Sequence, residues 1–308
     1  MFILSNELNN FADVAENIKQ IRFNMEEAKV KYGRENDDIK VMAVTKTVPA
    51  EKVNFAVSRG FELLGENRVQ EFLQKKELYV KNAEINFIGH LQSNKIKYII
   101  DSVTMIQSAD SIALAGEISK QAEKHGKVMD ILCEVNIGGE ESKSGFSPEE
   151  IYEAVPQIAE MKGVRLCGLM TIPPPGQSCV YFEKMQRIFE DLKAKNADIK
   201  LLSMGMSADY TDAVRFGTGM VRLGTALFGA RSYPARSSLQ IYERKKRRKW
   251  DFSILLKMRW VWDLMRIMIT TSLRTSRTRC SLRIRAASPR TTIISPETIW
   301  VTTTETRE

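Results

Sequence analysis

Between residues 39 and 223 the hydrophobic period of the chain switches back and forth, and few folds accommodate such a rhythm. Short apolar runs occur at 39–45, 61–65, 85–89, 103–107, 130–136, 164–170, 199–204 and 220–223. Their apolar residues are nearly continuous rather than alternating, which predicts parallel strands buried on both faces. Each of the first seven is followed by a segment with helical spacing, clearest at 110–125, 147–162 and 179–195. Ser147-Pro148-Glu149-Glu150 reads as a helix start, with a capping hydroxyl, an early proline and acids against the dipole. A further helix is predicted over 6–32, capped by Ser5 or Asn6, with Phe11, Val14, Ile18, Ile21 and Met25 on one face. Eight strands with helical crossovers predict a single-domain α/β fold, a (β/α)8 TIM barrel, over residues 1–235. An open doubly wound sheet is the alternative, weakened because no GxGxxG follows the first strand.

In such a barrel the C-terminal ends of the strands share one functional face. Strand 1 ends at Lys46, which is either a desolvated, nucleophilic amine or a lysine that snorkels at a strand end. Strand 2 ends in Gly65-Glu66-Asn67-Arg68, where Asn67 could hydrogen-bond a ring hydroxyl or cap a loop. Strand 7 ends in Ser203-Met204-Gly205-Met206-Ser207 and strand 8 in Arg222-Leu223-Gly224-Thr225. Barrels commonly bind phosphate after these last two strands, with backbone N–H groups of turns or helix starts as donors. Arg222 lies within an apolar run and needs an acceptor, either a pyridine nitrogen or a carboxylate of the barrel. Met170 could pack on a ring face or belong to the core. Ser142-Lys143-Ser144-Gly145 is either a second lysine at the mouth or a solvated turn. An amine and a phosphate cradle across one barrel mouth meet the needs of pyridoxal 5′-phosphate (PLP).

Composition excludes other classes. No apolar run reaches ~18 residues, so no spanning helix is expected. The start, MFILSNELNNF, lacks the basic region and apolar length of a signal peptide. Cys133, Cys167, Cys179 and Cys280 are scattered with no CxxC pair; the two in strand patterns read as buried free thiols, and the set fits a reducing, cytoplasmic setting. His90 and His125 have no neighbouring ligand at zinc spacing. The net charge of +8 is concentrated after residue 235, and all 17 glycines precede residue 230. Residues 236–308 are therefore expected to be a basic, low-complexity tail. Its Arg-Lys-Lys-Arg-Arg-Lys run at 244–249 and tryptophan-bearing stretch at 250–269 allow a basic amphipathic helix for a membrane or nucleic acid. The Thr/Ser/Arg tract that follows favours a disordered extension, one that a shifted reading frame would also produce.

Seven motifs, in order and at strand ends, make residues ~9–232 resemble the YggS/PROSC family of pyridoxal phosphate homeostasis proteins. They are AVTKT around Lys46, GENRVQE at 65–71, FIGHLQSNK at 87–95, ESKSGF at 141–146, GLMTIPP at 168–174, LSMGMSADYTDAV at 202–214 and MVRLGTALFGAR at 220–231. The resemblance implies a barrel like the N-terminal domain of alanine racemase and an internal aldimine at Lys46. It implies phosphate contacts from Ser203, Ser207, Gly224 and Thr225, with Arg222 toward the pyridine nitrogen. It also implies a monomeric PLP carrier or regulator of vitamin B6 and amino-acid balance, without an established turnover and with PLP-requiring apoenzymes as partners. The chain departs from the family at Ile85-Asn86, where an aromatic residue followed by His or Gln is usual, in a shorter loop after Pro175, and in everything beyond about residue 235.

Two other functions compete. A PLP-dependent racemase needs a second acid/base on the far face of the cofactor, which alanine racemases take from a β-rich second domain, and residues 236–308 have no strand pattern to build one. A pyridine nitrogen facing arginine also stays unprotonated, a weak electron sink. Nucleic-acid binding is supported only by the charge of the tail and is not expected of the barrel.

Overall fold

The computed structural model describes residues 11–230. The chain divides into two units, Met1–Pro234 and Ala235–Glu308, and all described residues lie in the first. Ser5, Asn6, Cys280 and the 236–308 tail fall outside them.

Eight parallel strands close a barrel in sequence order: β1 (Lys40–Val44), β2 (Leu63–Glu66), β3 (Glu84–Phe87), β4 (Met105–Ala109), β5 (Met129–Val135), β6 (Val164–Thr171), β7 (Leu201–Met206) and β8 (Met220–Leu223). Closure is made by β1 and β8, in register from Lys40↔Met220 to Ala43↔Leu223. Around the barrel lie α1 (Ala12–Tyr32), α2 (Ala50–Val57), α3 (Val69–Lys75), α4 (Ile112–Lys124), α5 (Glu150–Ala159), α6 (Ser178–Lys195), α7 (Tyr210–Arg215) and the single-turn α8 (Thr225–Phe228).

The helical spacing of α1 does what its pattern predicts: Val14, Ile18, Ile21 and Met25 are buried. Its end is set by Gly33 at φ 65, whose N–H returns to the carbonyls of Lys29 and Val30. The start of α5 is a reciprocal cap. Ser147 Oγ accepts from Glu150 N at 3.1 Å, and Glu150 Oε2 accepts from Ser147 N at 2.9 Å. One crossover differs from expectation. After β3 the chain forms a 3-10 helix, Ser93–Tyr98, instead of an amphipathic α-helix. Its buried side chain is Ile96, and Ile99 and Ile100 are buried directly after the helix.

Strand alternation sorts side chains into two cores. Ala43, Leu64, Ile106, Cys133, Val135, Leu202, Val221 and Leu223 face outward and pack beneath the helices. Met42, Val44, Ile88 and Met220 fill the barrel, with Leu63 and Leu201 against them. At the family departure, Asn86 is buried, and its Oδ1 accepts from Thr104 Oγ1 at 2.8 Å, so the buried amide has a partner.

Candidate functional site

Beside the apolar side chains of Met42, Val44, Ile88 and Met220 the interior carries polar groups, with Arg222 in register with Met42 and Ser203 with Met220. Arg222 lies between outward-facing Val221 and Leu223, so it points into the barrel and is only 3% exposed. It donates from Nη1 to Ser203 Oγ at 2.6 Å and from Nη2 to the Thr171 carbonyl at 2.7 Å. Ser203 passes the chain on, donating to Gln107 Oε1 at 2.9 Å, and Gln107 Nε2 reaches Met220 Sδ. Burial pulls the Arg222 guanidinium down to about 10, against the attraction of Glu134 and Asp209, so it remains charged at neutral pH.

Glu134 alternates with Cys133 and Val135 of the outer core, which turns it inward as well. Desolvation, with Asp110 nearby, raises its carboxyl to about 7, although Arg222 and Lys143 pull the other way. Met170, fully buried, sits beside Ser203 in the β6–β7 register.

Lys46 follows β1 in the direction of inward-facing Met42 and Val44, is half-buried, and has no side-chain partner among the described residues. The next residue, Thr47, has φ 64 and is the one described non-glycine residue with a positive φ. For a β-branched side chain this conformation costs roughly 1–3 kcal/mol.

Asn67 follows β2. The backbone there crosses so close to Gly89 that a Cβ on Gly89 would collide with the Asn67 carbonyl, so the approach depends on glycine. Asn67 Oδ1 is buried with no partner among the described residues. Glu66, one residue earlier, faces the other way. It accepts from Tyr79 Oη at 2.5 Å within the wall, and burial raises its carboxyl.

Ser207 ties the two last strand ends together. Its Oγ accepts from Gly224 N at 3.1 Å and Ala226 N at 3.0 Å, so two backbone N–H groups at the start of α8 converge on one oxygen. Such convergence is an anion-accepting arrangement. Thr225, first residue of α8, is exposed beside it. Asp209 pins this loop, accepting from Met206 N at 2.7 Å and Ser178 Oγ at 2.6 Å.

The structure thus brings Ser207, Gly224 and Thr225 together, and separately joins Ser203 to Arg222. Ser203 Oγ is both donor and acceptor inside the barrel and is fully buried, so its bonds go to Arg222 and Gln107 rather than to the Ser207 turn. Lys143 pairs with Glu140, while Ser144 Oγ meets His90 Nδ1 at 3.2 Å. Glu134, Gln107, Asp209, Glu71 and Lys75 were not singled out by sequence reasoning. Of these, Glu71 and Asp209 lie inside quoted motifs, and the acid after a Gly-rich strand end was the available signal. Cys133 is buried, and burial raises its thiol to about 12, as an inert core thiol requires. Among the described residues no cluster of His, Cys, Asp or Glu could hold a metal, and no helix is long and apolar enough to cross a membrane.

These groups fit PLP. A half-buried lysine, an orphaned amide oxygen at Asn67, an arginine with unspent N–H groups and a converging pair of backbone donors offer one contact for each end of such a molecule.

Comparison with known proteins agrees with this geometry. The family model described as alanine racemase, N-terminal domain, matches residues 17–232. The pyridoxal phosphate homeostasis protein of Aquifex aeolicus (strain VF5) is 40% identical over 227 residues, 72% of this chain and 100% of that protein. Its counterpart in Escherichia coli (strain K12) is 38% identical over 229 residues, 72% of this chain and 98% of the relative. The structure of PipY from Synechococcus elongatus PCC7942 with PLP bound superposes with a TM-score of 0.60 at 27% identity, covering 70% of this chain and all of PipY. An alanine racemase of Clostridium difficile 630 shares the fold alone, with a TM-score of 0.56 at 20% identity, over 72% of this chain and 57% of the racemase.

Proposed function

The chain belongs to the pyridoxal phosphate homeostasis family, built on the alanine racemase N-terminal domain, and from that premise we propose that it binds PLP at the barrel mouth and acts in vitamin B6 and amino-acid homeostasis. PLP would supply an aldehyde there, and Lys46 would be the amine that holds it. Asn67 Oδ1 takes a polar group at the ring edge. The converging N–H groups of Gly224 and Ala226, with the hydroxyls of Ser207 and Thr225, hold the phosphate. Arg222 faces the ring nitrogen, and Ser203 fixes Arg222 by its 2.6 Å bond. Ser203 therefore enters this reading as support for Arg222, where the sequence motif alone suggested a phosphate contact.

We read the protein as a carrier rather than a catalyst. A guanidinium that stays charged at neutral pH would, set against the ring nitrogen, disfavour protonation there and so lower the ability of the ring to accept electrons. The three unpaired cysteines among the described residues support a reducing, cytoplasmic location, and PLP-requiring apoenzymes are the natural recipients. The single observation that carries the reading is the convergence of Gly224 N and Ala226 N on Ser207 Oγ, in a barrel whose first strand leads into Lys46. Borohydride reduction of protein incubated with PLP tests it. The expected result is one added phosphopyridoxyl group on the peptide containing Lys46. Absence of any adduct on that peptide would overturn the reading.

A further inference from the structure

The turn that carries Lys46 is strained, and the strain has an identifiable brace. Val48 N donates to Thr45 O at 2.9 Å, which closes a four-residue turn with Lys46 and Thr47 at its centre. A positive φ at the third position alone is the signature of a type II turn, where glycine or asparagine is the ordinary occupant. Thr47 is neither, and its branched Cβ crowds the backbone at φ 64. Such a conformation persists where surrounding bonds over-determine it.

The bonds come from α3. Glu71 Oε1 accepts from Thr47 N at 2.5 Å. Lys75, one helical turn further on, donates from Nζ to the same oxygen at 2.6 Å and to Thr45 O at 3.2 Å. The two side chains are mostly buried, at 16% and 18% exposure. Burial alone would raise the Glu71 carboxyl, but Lys75 and the Thr47 N–H together hold it below the ordinary value, so it is ionised at neutral pH. The pair thus grips the turn on both sides of Lys46, by the carbonyl before it and the N–H after it. The same helix begins two residues after Asn67, so the brace also ties the Lys46 turn to the β2 end of the site.

We propose that Glu71 and Lys75 are positioning residues for Lys46, holding Thr47 in the left-handed conformation that presents the lysine amine to the barrel mouth. The proposal rests on Lys46 as the attachment residue.

The test is a double-mutant comparison with the full chain freed of cofactor, using PLP as the probe. The rate of borohydride-trapped labelling is followed on the Lys46 peptide. Glu71→Ala is expected to slow labelling roughly tenfold or more, the scale of releasing one strained residue. Thr47→Gly is expected to label near the parental rate, because glycine adopts this φ unaided. In the Thr47→Gly background, Glu71→Ala should then cost no more than about twofold. Glu71→Gln keeps an acceptor for Thr47 N–H but loses the charge facing Lys75. It should fall between the two, and it serves if Glu71→Ala folds poorly. A salt bridge that merely supported α3 would lower the melting temperature equally in both backgrounds and leave labelling of the folded protein unchanged. Parental labelling by Glu71→Ala, or an undiminished loss in the Thr47→Gly background, would overturn the positioning role alone. Labelling of a different lysine in the parent protein would overturn the attachment residue, and the positioning role with it.

Discussion

Arg222 donates to Ser203 Oγ at 2.6 Å inside the barrel, and Ser203 hands its own proton to Gln107, so the serine is committed to the arginine. In the proposed site Ser203 and Ser207 therefore have different roles, although one lies within β7 and the other directly follows it. Ser203→Ala is expected to weaken binding of pyridoxal and PLP by the same factor, because it loosens a group that faces the ring. Ser207→Ala is expected to weaken PLP alone. A charge-assisted hydrogen bond contributes roughly 1.5–3 kcal/mol, so the PLP loss should reach at least about tenfold. Fluorescence titration of the cofactor-free variants with both vitamers checks this. A Ser203→Ala protein impaired only toward PLP would return that serine to the phosphate cradle.

Lys46→Ala is expected to abolish borohydride-trapped labelling and leave the melting temperature within about 2 °C of the parent. The small thermal effect follows from the half-buried position of Lys46 and its lack of a side-chain partner among the described residues. Intact mass after reduction and a thermal melt give the two readings together. A full-occupancy adduct in the variant would assign the attachment to another lysine, Lys143 first.

Glu134 makes the barrel sensitive to pH. Its carboxyl is raised in the folded state to about 7 from 4.5, so the folded protein holds this proton more tightly than the unfolded chain. Stability must then fall as pH rises between those two values, as the buried carboxylate is forced to ionise. Glu134→Gln removes the cost. The variant is expected to melt several degrees above the parent at pH 8, with the gap closing toward pH 5. A gap independent of pH, or one of opposite sign, would show that Arg222 already compensates the carboxylate fully.

Deletion of residues 236–308 is expected to leave PLP content unchanged and the melting temperature within about 2 °C. β8 pairs with β1 along Lys40–Ala43, so the sheet has no free edge for a further segment to cover. The matched relatives are also spanned at 98–100% by 72% of this chain. Loss of cofactor on truncation would make the tail part of the binding unit.

Much of this protein was legible one residue at a time. The eight apolar runs, the period of α1, the reciprocal cap at Ser147 and Glu150, and the placement of Lys46, Asn67 and Arg222 at strand ends depend on local spacing, and local spacing is written in the chain. The 3-10 crossover after β3 was not, because the buried Ile96, and Ile99 and Ile100 after it, suit either helix and only the available packing chooses. Nor was the division between Ser203 and Ser207. Ser203 meets Gln107, 96 residues away, and Arg222 because strand register and alternation aim all three inward. Thr47 was hidden most completely, since a β-branched residue advertises the opposite of a left-handed turn. Its conformation is held by Glu71 and Lys75 on the following crossover helix. Sequence by itself determined where strands end and which chemical groups stand at those ends. The closed barrel decided which groups share a space, because a hydrogen bond between distant residues depends on how the strands between them are paired.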